Sequence, residues 1–226
     1  MRRFAAVLLV LTVFLILADR GAAVLAGRVV RAELADRGAV GARAEVLGMP
    51  FLTQLADRRF EHVSVEARRL SVGGGRLWHL DAEFGDVAVR SRQSAVAGWL
   101  RASALVPFRE AERRVGLPAG SLSQGDNGLV RFQGPVSVLG VTVSVVATSG
   151  VTLSDNALLL TPEEISLSRV PGASARLQGP IRRALTLRIP VPGLPPELHL
   201  DRVGVDQMGL RMDMSGRDVP LGKGGV

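Results

Sequence analysis

The chain has 226 residues, 47% hydrophobic and 22% charged, which excludes a disordered or collagen-like polymer and fits one medium domain. Seven Phe, two Trp and no Tyr offer little stacking surface for bases, and the net charge of +7 is spread over arginines that alternate with Asp and Glu. No nucleic-acid partner is therefore expected, an anionic membrane surface stays open, and the absence of Cys excludes thiol catalysis, disulfides and thiolate metal sites.

In chain order, Met1-Arg2-Arg3 precede an apolar run from Phe4 to Ala18, interrupted only by Thr12 and followed by Asp19-Arg20. Fifteen helical residues reach only about 22 Å, short of the hydrocarbon thickness of a bilayer. The basic start, apolar middle and small residues at Gly21-Ala22-Ala23 or Val24-Leu25-Ala26 match an export signal. Residues 1–23 therefore read as a signal peptide or an uncleaved signal anchor. Either places the body in the cell envelope or a periplasm-like space.

From Ala22 to Arg37 the apolar residues Ala22, Leu25, Ala26, Val29, Val30 and Leu34 recur at three- and four-residue steps, predicting a one-faced helix. Ala42, Ala44 and Val46 alternate before Gly48 and Pro50. Phe51, Leu52 and Leu55 form a short helical patch closed by Asp57-Arg58-Arg59. Val63, Val65 and Ala67, then Trp78, Leu80, Ala82 and Phe84, alternate with polar residues around Gly73-Gly74-Gly75 and predict a long hairpin. Gln93 to Val115 reads as a second helical region, with Val96, Trp99 and Leu100 on one face and a break at Pro107. Beyond Pro118 nearly everything reads as strand and turn, to Met212 and Met214, before a loose tail at 222–226.

Some nine strands with an apolar face and two helices predict one α+β domain over 24–221: a long curved antiparallel sheet wrapped around one or two helices. Such a curl leaves a tapering apolar trough, which hydrocarbon chains can complete.

The stretch Gly48-Met49-Pro50-Phe51-Leu52-Thr53-Gln54-Leu55, followed by Arg59-Phe60 and Val63-Ser64-Val65, resembles the signature of the LmeA-like phospholipid-binding family. Val106-Pro107-Phe108, Gly193-Leu194-Pro195 and Gly216-Arg217-Asp218-Val219 are similar too and come in the same order. Where the family has an acidic residue and Leu after the Val-Pro-aromatic triplet, this chain has Arg109-Glu110-Ala111. The resemblance implies an exported envelope protein of high-GC Gram-positive bacteria that binds phospholipid. It also implies a link to the lipid-anchored mannan pathway and a fold similar to tubular lipid-binding proteins.

Candidate lipid contacts are Phe51, Leu52, Leu55, Phe60, Trp78, Phe84, Trp99, Phe108, Leu187 and Ile189, with the adaptable Met208, Met212 and Met214. Arg58 and Arg59 beside the Phe51–Leu55 patch suit a phosphate head group. No catalytic residue, metal site or cofactor is expected. Gly120-Ser121-Leu122-Ser123-Gln124-Gly125 lacks the glycine spacing of a hydrolase elbow, Gly73-Gly74-Gly75 lacks the Lys and Ser/Thr of a phosphate cradle, and His62, His79 and His199 share no ligand spacing. The expected function is phospholipid binding by a non-enzyme. The alternative is an envelope scaffold or partner-binding subunit whose own helix fills the trough.

Overall fold

The computed structural model describes residues 19–32, 34–36, 38–48, 50–72, 74–91, 94–154, 157–167, 174–191, 194 and 196–222. The leader up to Ala18, Met49, Gly73, Gly193 and Pro195 of the motifs, and the tail from Lys223 lie outside them.

Two antiparallel sheets form the molecule. The first runs β1 (Arg43–Leu47), β2 (Arg59–Val72), β3 (Gly75–Ser91), β4 (Ser94–Pro107), β11 (Gly209–Gly222), β10 (Leu198–Asp206). The second runs β5 (Leu122–Gln124), β6 (Val130–Val138), β7 (Val141–Ser154), β8 (Ala157–Leu167), β9 (Leu187–Pro190). Among the described residues four α-helices accompany them: α1 (residues 19–32 and 34–36), α2 (Phe51–Asp57), α3 (Phe108–Val115) and α4 (Ser174–Leu185). The α+β class and the curved antiparallel sheet are as the residue pattern predicts, but there are two sheets rather than one.

The predicted hairpin is β2–β3, with Val63 opposite Phe84, Val65 opposite Ala82 and Ala67 opposite Leu80. Gly140 stands between β6 and β7 rather than inside a strand. With Leu139 it forms the two-residue turn of the β6–β7 hairpin, both residues at positive φ, as a turn matched to strand twist requires.

Two predicted elements are corrected. Residues 94–107, read as helical, form β4, the strand between β3 and β11. The helix-like step from Val96 to Trp99 and Leu100 is overridden by pairing on both edges. Trp99 lies opposite Gly85, and a Cβ there would sit 2.0 Å from the indole, so the glycine makes the room that the ring occupies. Only Phe108–Val115 of that region is helical. Conversely, α4 lies where the residue pattern predicts strand and turn. Its core side chains Ile181 and Leu185 are four residues apart, a helical spacing that Gly179 and Pro180 obscure.

Each sheet carries a helix against its apolar side, and the two differ in how well the space is filled. Against the second sheet, α4 packs on β6 and β8, and Phe132, Val145, Leu158, Leu160, Ile181 and Ile189 are all at most 2% exposed. Against the first sheet lies α1. There the apolar side chains are mostly half-buried, and an open volume remains between helix and strands.

Candidate functional site

The open volume is a cavity of about 430 Å³. Its floor comes from Val63 and Val65 of β2, Leu77, Leu80, Ala82 and Phe84 of β3, Leu100 and Ala102 of β4, and Met214 and Val219 of β11. One wall is α1, through Ala26, Val30 and Leu34. Val191, Leu194 and Leu198 close another side. Among the described residues, every one that lines it is aliphatic, Met or Phe. Such a space cannot satisfy a polar or charged guest, and its size falls in the range of small-molecule pockets.

The strands bend to make this trough, and the bends are local. Along β3 the lining residues run Leu77, Leu80, Ala82, Phe84, Val87 and Val89, so the alternation skips a residue twice. His79 and Asp86 stand at those skips, with φ of 48° and 52°. On β11 the skip falls between Met214 and Val219, where Asp218 has φ of 50°. A left-handed residue inside a strand re-aims the next side chain and increases local twist, and Asp and His tolerate that region better than most residues. The motif Gly216-Arg217-Asp218-Val219 is thus the bend that turns Val219 inward.

The motif around Gly48 builds the joint between α1 and the sheet. Pro50 precedes α2 in extended conformation and offers no side-chain cap. The cap comes instead from Asp19 of α1, whose Oδ1 accepts the N–H of Leu52 at 2.7 Å. The Leu52 and Phe51 amides hold the buried Asp19 carboxyl below its ordinary range, against an opposing push from burial. Gln54 is buried, and its Oε1 accepts the Glu61 N–H at 3.0 Å. Gly48 has φ of 103°, and a Cβ there would lie 2.5 Å from the Gln54 amide nitrogen, so this position suits glycine on both counts. Phe51 stacks on Phe60 at 5.9 Å and pins α2 to β2. On the other side of α1, Gly27 lets the helix approach β1 closely: a Cβ there would be 2.6 Å from the Ala44 carbonyl oxygen.

Of the thirteen candidate apolar residues, the cavity brings together Phe60, Phe84 and Met214. Phe51 is buried beneath α2, while Leu52 and Leu55 point outward at 40% and 49% exposure. Phe108, Ile189 and Met212 are buried in the packed core, Leu187 rests against it, and Met208 is exposed at the β10–β11 turn. Trp78 is carried to the convex side by the bend at His79, into an outer cleft with Arg69, Arg76 and Arg109. Trp99 is also on the convex side, edge-on to His62 at 5.6 Å with Arg101 near its ring. Arg58 ends α2 in the left-handed region, and Arg59 lies in an outer cleft with Asp57, Glu61 and Asp86. Three carboxylates around one guanidinium give that cleft no net attraction for an anion.

The residues that sequence reasoning missed are the small and aliphatic ones, above all Ala26, Val30, Leu34, Leu80, Ala82 and Ala102. Their signal is present in the helical and strand periodicities, but aromatic size draws the choice elsewhere. The one-faced stripe of α1 is also split: Ala26, Val30 and Leu34 face the cavity, whereas Leu25 and Val29 of the same stripe are exposed.

The outer clefts, of about 860, 640 and 560 Å³, are larger but mixed in polarity. Among the described residues no three His, Cys, Asp or Glu side chains are grouped to hold a metal ion, and no helix is long and apolar enough to cross a membrane. No curated protein matches the chain. The family model for LmeA-like phospholipid-binding proteins matches residues 17–215, which takes in α1, the bends at His79 and Asp86 and the trough residues up to Met214. The chain therefore belongs to the LmeA-like phospholipid-binding family.

Proposed function

We propose that the protein holds phospholipid by its acyl chains in the trough between α1 and the first sheet, and that it does so outside the cytoplasm in support of envelope lipid or lipid-anchored mannan assembly. The observation that carries this reading is the 430 Å³ cavity whose described lining residues are all apolar, within a chain of a phospholipid-binding family. Burial supplies about 0.8 kcal/mol per methylene, so long tails bind without polar contacts and head-group choice is loose. The basic, apolar and small-residue order of the first 23 residues supports export.

Native mass spectrometry of protein purified from membranes tests the reading. Phospholipid adducts of mixed head group and acyl composition are expected. Leu80→Glu, which places a carboxylate on the trough floor, is expected to remove them while the fold persists. A bare protein mass from both forms, with the wild type refusing added phospholipid, would sink the proposal in favour of a scaffold role.

A further inference from the structure

The helix that walls the trough begins before both candidate cleavage positions. Cutting after Ala23 would remove Asp19, a buried carboxylate that caps α2 through the Leu52 N–H at 2.7 Å. Cutting after Ala26 would remove a cavity wall residue as well. Away from the trough α1 also exposes apolar side chains around Arg28: Val24, Leu25 and Val29 are 55%, 59% and 71% exposed. Leu52 and Leu55 of α2, the helix tied to Asp19, are exposed as well, at 40% and 49%. Arg20, Arg28 and Arg31 are exposed on the same helix, and among its described residues Asp36 is the one exposed acid. Eighteen residues precede Asp19, and fifteen of them form the apolar run from Phe4 to Ala18.

We propose that the leader is retained as a membrane anchor and that the outer face of α1, with Leu52 and Leu55 of α2, rests on the surface of a phospholipid bilayer. A surface of Val and Leu flanked by arginines matches the interface of an anionic bilayer, where apolar side chains dip below the head groups and guanidinium groups meet phosphate. The apolar run ends at the residue before Asp19, so its insertion holds α1 within reach of that interface. The one helix then has two sides with two apolar neighbours, the trough contents and the membrane. The inference deepens the lipid-holding reading, because the trough is then walled by the element that touches its lipid source.

The test reads the N-terminus and the position of a label, so it can fail or succeed independently of lipid occupancy. The full chain, tagged at its C-terminus, is produced in an export-competent bacterial host and taken from detergent-solubilised membranes for intact mass. The expected mass includes residues upstream of Asp19, and a chain beginning at Val24 or Gly27 would overturn the retained leader. The sequence has no Cys, so Leu25→Cys, Val29→Cys and the control Ser123→Cys, at an exposed position of β5, each create one labelling site. Each is labelled with a polarity-sensitive fluorophore in phosphatidylglycerol–phosphatidylcholine vesicles containing spin-labelled lipid. Quenching at least about threefold stronger at positions 25 and 29 than at 123 is expected for a helix lying in the interface. Equal quenching at the three sites would overturn the docking.

Discussion

The two sheets solve the same problem with opposite results. Each is antiparallel, each has an apolar side, and each has a helix against it, yet the second sheet and α4 close to a core with Leu158 and Ile181 fully buried, while the first sheet and α1 leave 430 Å³ open. The difference is one of side-chain volume and strand bending. The second sheet meets its helix with Phe132, Leu158, Leu160 and Ile189, whereas the first offers Ala82 and Ala102 at its centre and swings away at His79, Asp86 and Asp218. A filled interior stabilises, and an underfilled one is available for binding.

The largest expected effect lies in the filled half. Phe132→Ala removes a ring that is 2% exposed, and a loss of about 3–5 kcal/mol in chemical denaturation is expected with phospholipid adducts retained. Phe84→Ala in the trough wall, already half-buried, should cost only about 1–2 kcal/mol but lower adduct abundance. Equal losses of stability at the two positions would break the comparison.

The contrast between the halves is only partly legible in the residues. The β2–β3 hairpin is, because Val63, Val65 and Ala67 alternate cleanly with polar neighbours. β4 is not, because its Ala, Ser and Gly residues carry little periodicity and its conformation is imposed by β3 and β11. The trough is legible as an under-covered sheet and through Phe60, Phe84 and Met214. Which residues face inward on either side of the bends is not, since a left-handed His79 or Asp86 is selected by the paired strand rather than by local propensity, and each reverses which neighbours face inward. Trp78 shows the consequence: it shares strict alternation with Leu80 in the sequence and lies on the opposite side of the sheet in the fold.

A second expected effect concerns the polar joint beside the filled half. Glu112 is 1% exposed, and its carboxylate accepts the N–H of Leu122 at 2.7 Å and of Gly120 at 3.0 Å, tying α3 to β5. Glu112→Ala leaves a buried donor without a partner, and about 2 kcal/mol of lost stability is expected in denaturant titration. Glu112→Gln keeps an acceptor oxygen and should lose less. If the two variants lose equally, the joint needs both carboxylate oxygens, since the Gln amide nitrogen cannot accept the second N–H.

Making the first sheet resemble the second sharpens the comparison further. Ala102→Phe at the centre of the trough floor adds the volume that the filled half already has. Stability is expected to hold or rise by about 1 kcal/mol, as cavity filling does, while adducts in native mass spectrometry fall. A variant that gains stability and still carries full-length lipid would show that the tails bind elsewhere.

The smallest expected effect is at the polar joint of the open half, where Asp19 does for α1 and α2 what Glu112 does for α3 and β5. The Leu52 and Phe51 N–H groups favour the ionised carboxyl and lower its pKa in the folded chain. A group held low in this way contributes stability above its unfolded value, roughly pH 4, and loses that contribution as pH falls through the folded value beneath it. Hydrogen exchange at the Leu52 amide should therefore be flat in protection from neutral pH down to about pH 5 and lose protection in more acidic solution. Asp19→Asn keeps an acceptor but cannot titrate, so its protection should show no such acid step. The Gln133 amide on the filled side, bonded to the Ser121 carbonyl rather than to a carboxylate, is the internal reference. An acid step at Leu52 that survives in Asp19→Asn would assign the loosening to other carboxylates and leave α2 capped by something other than Asp19.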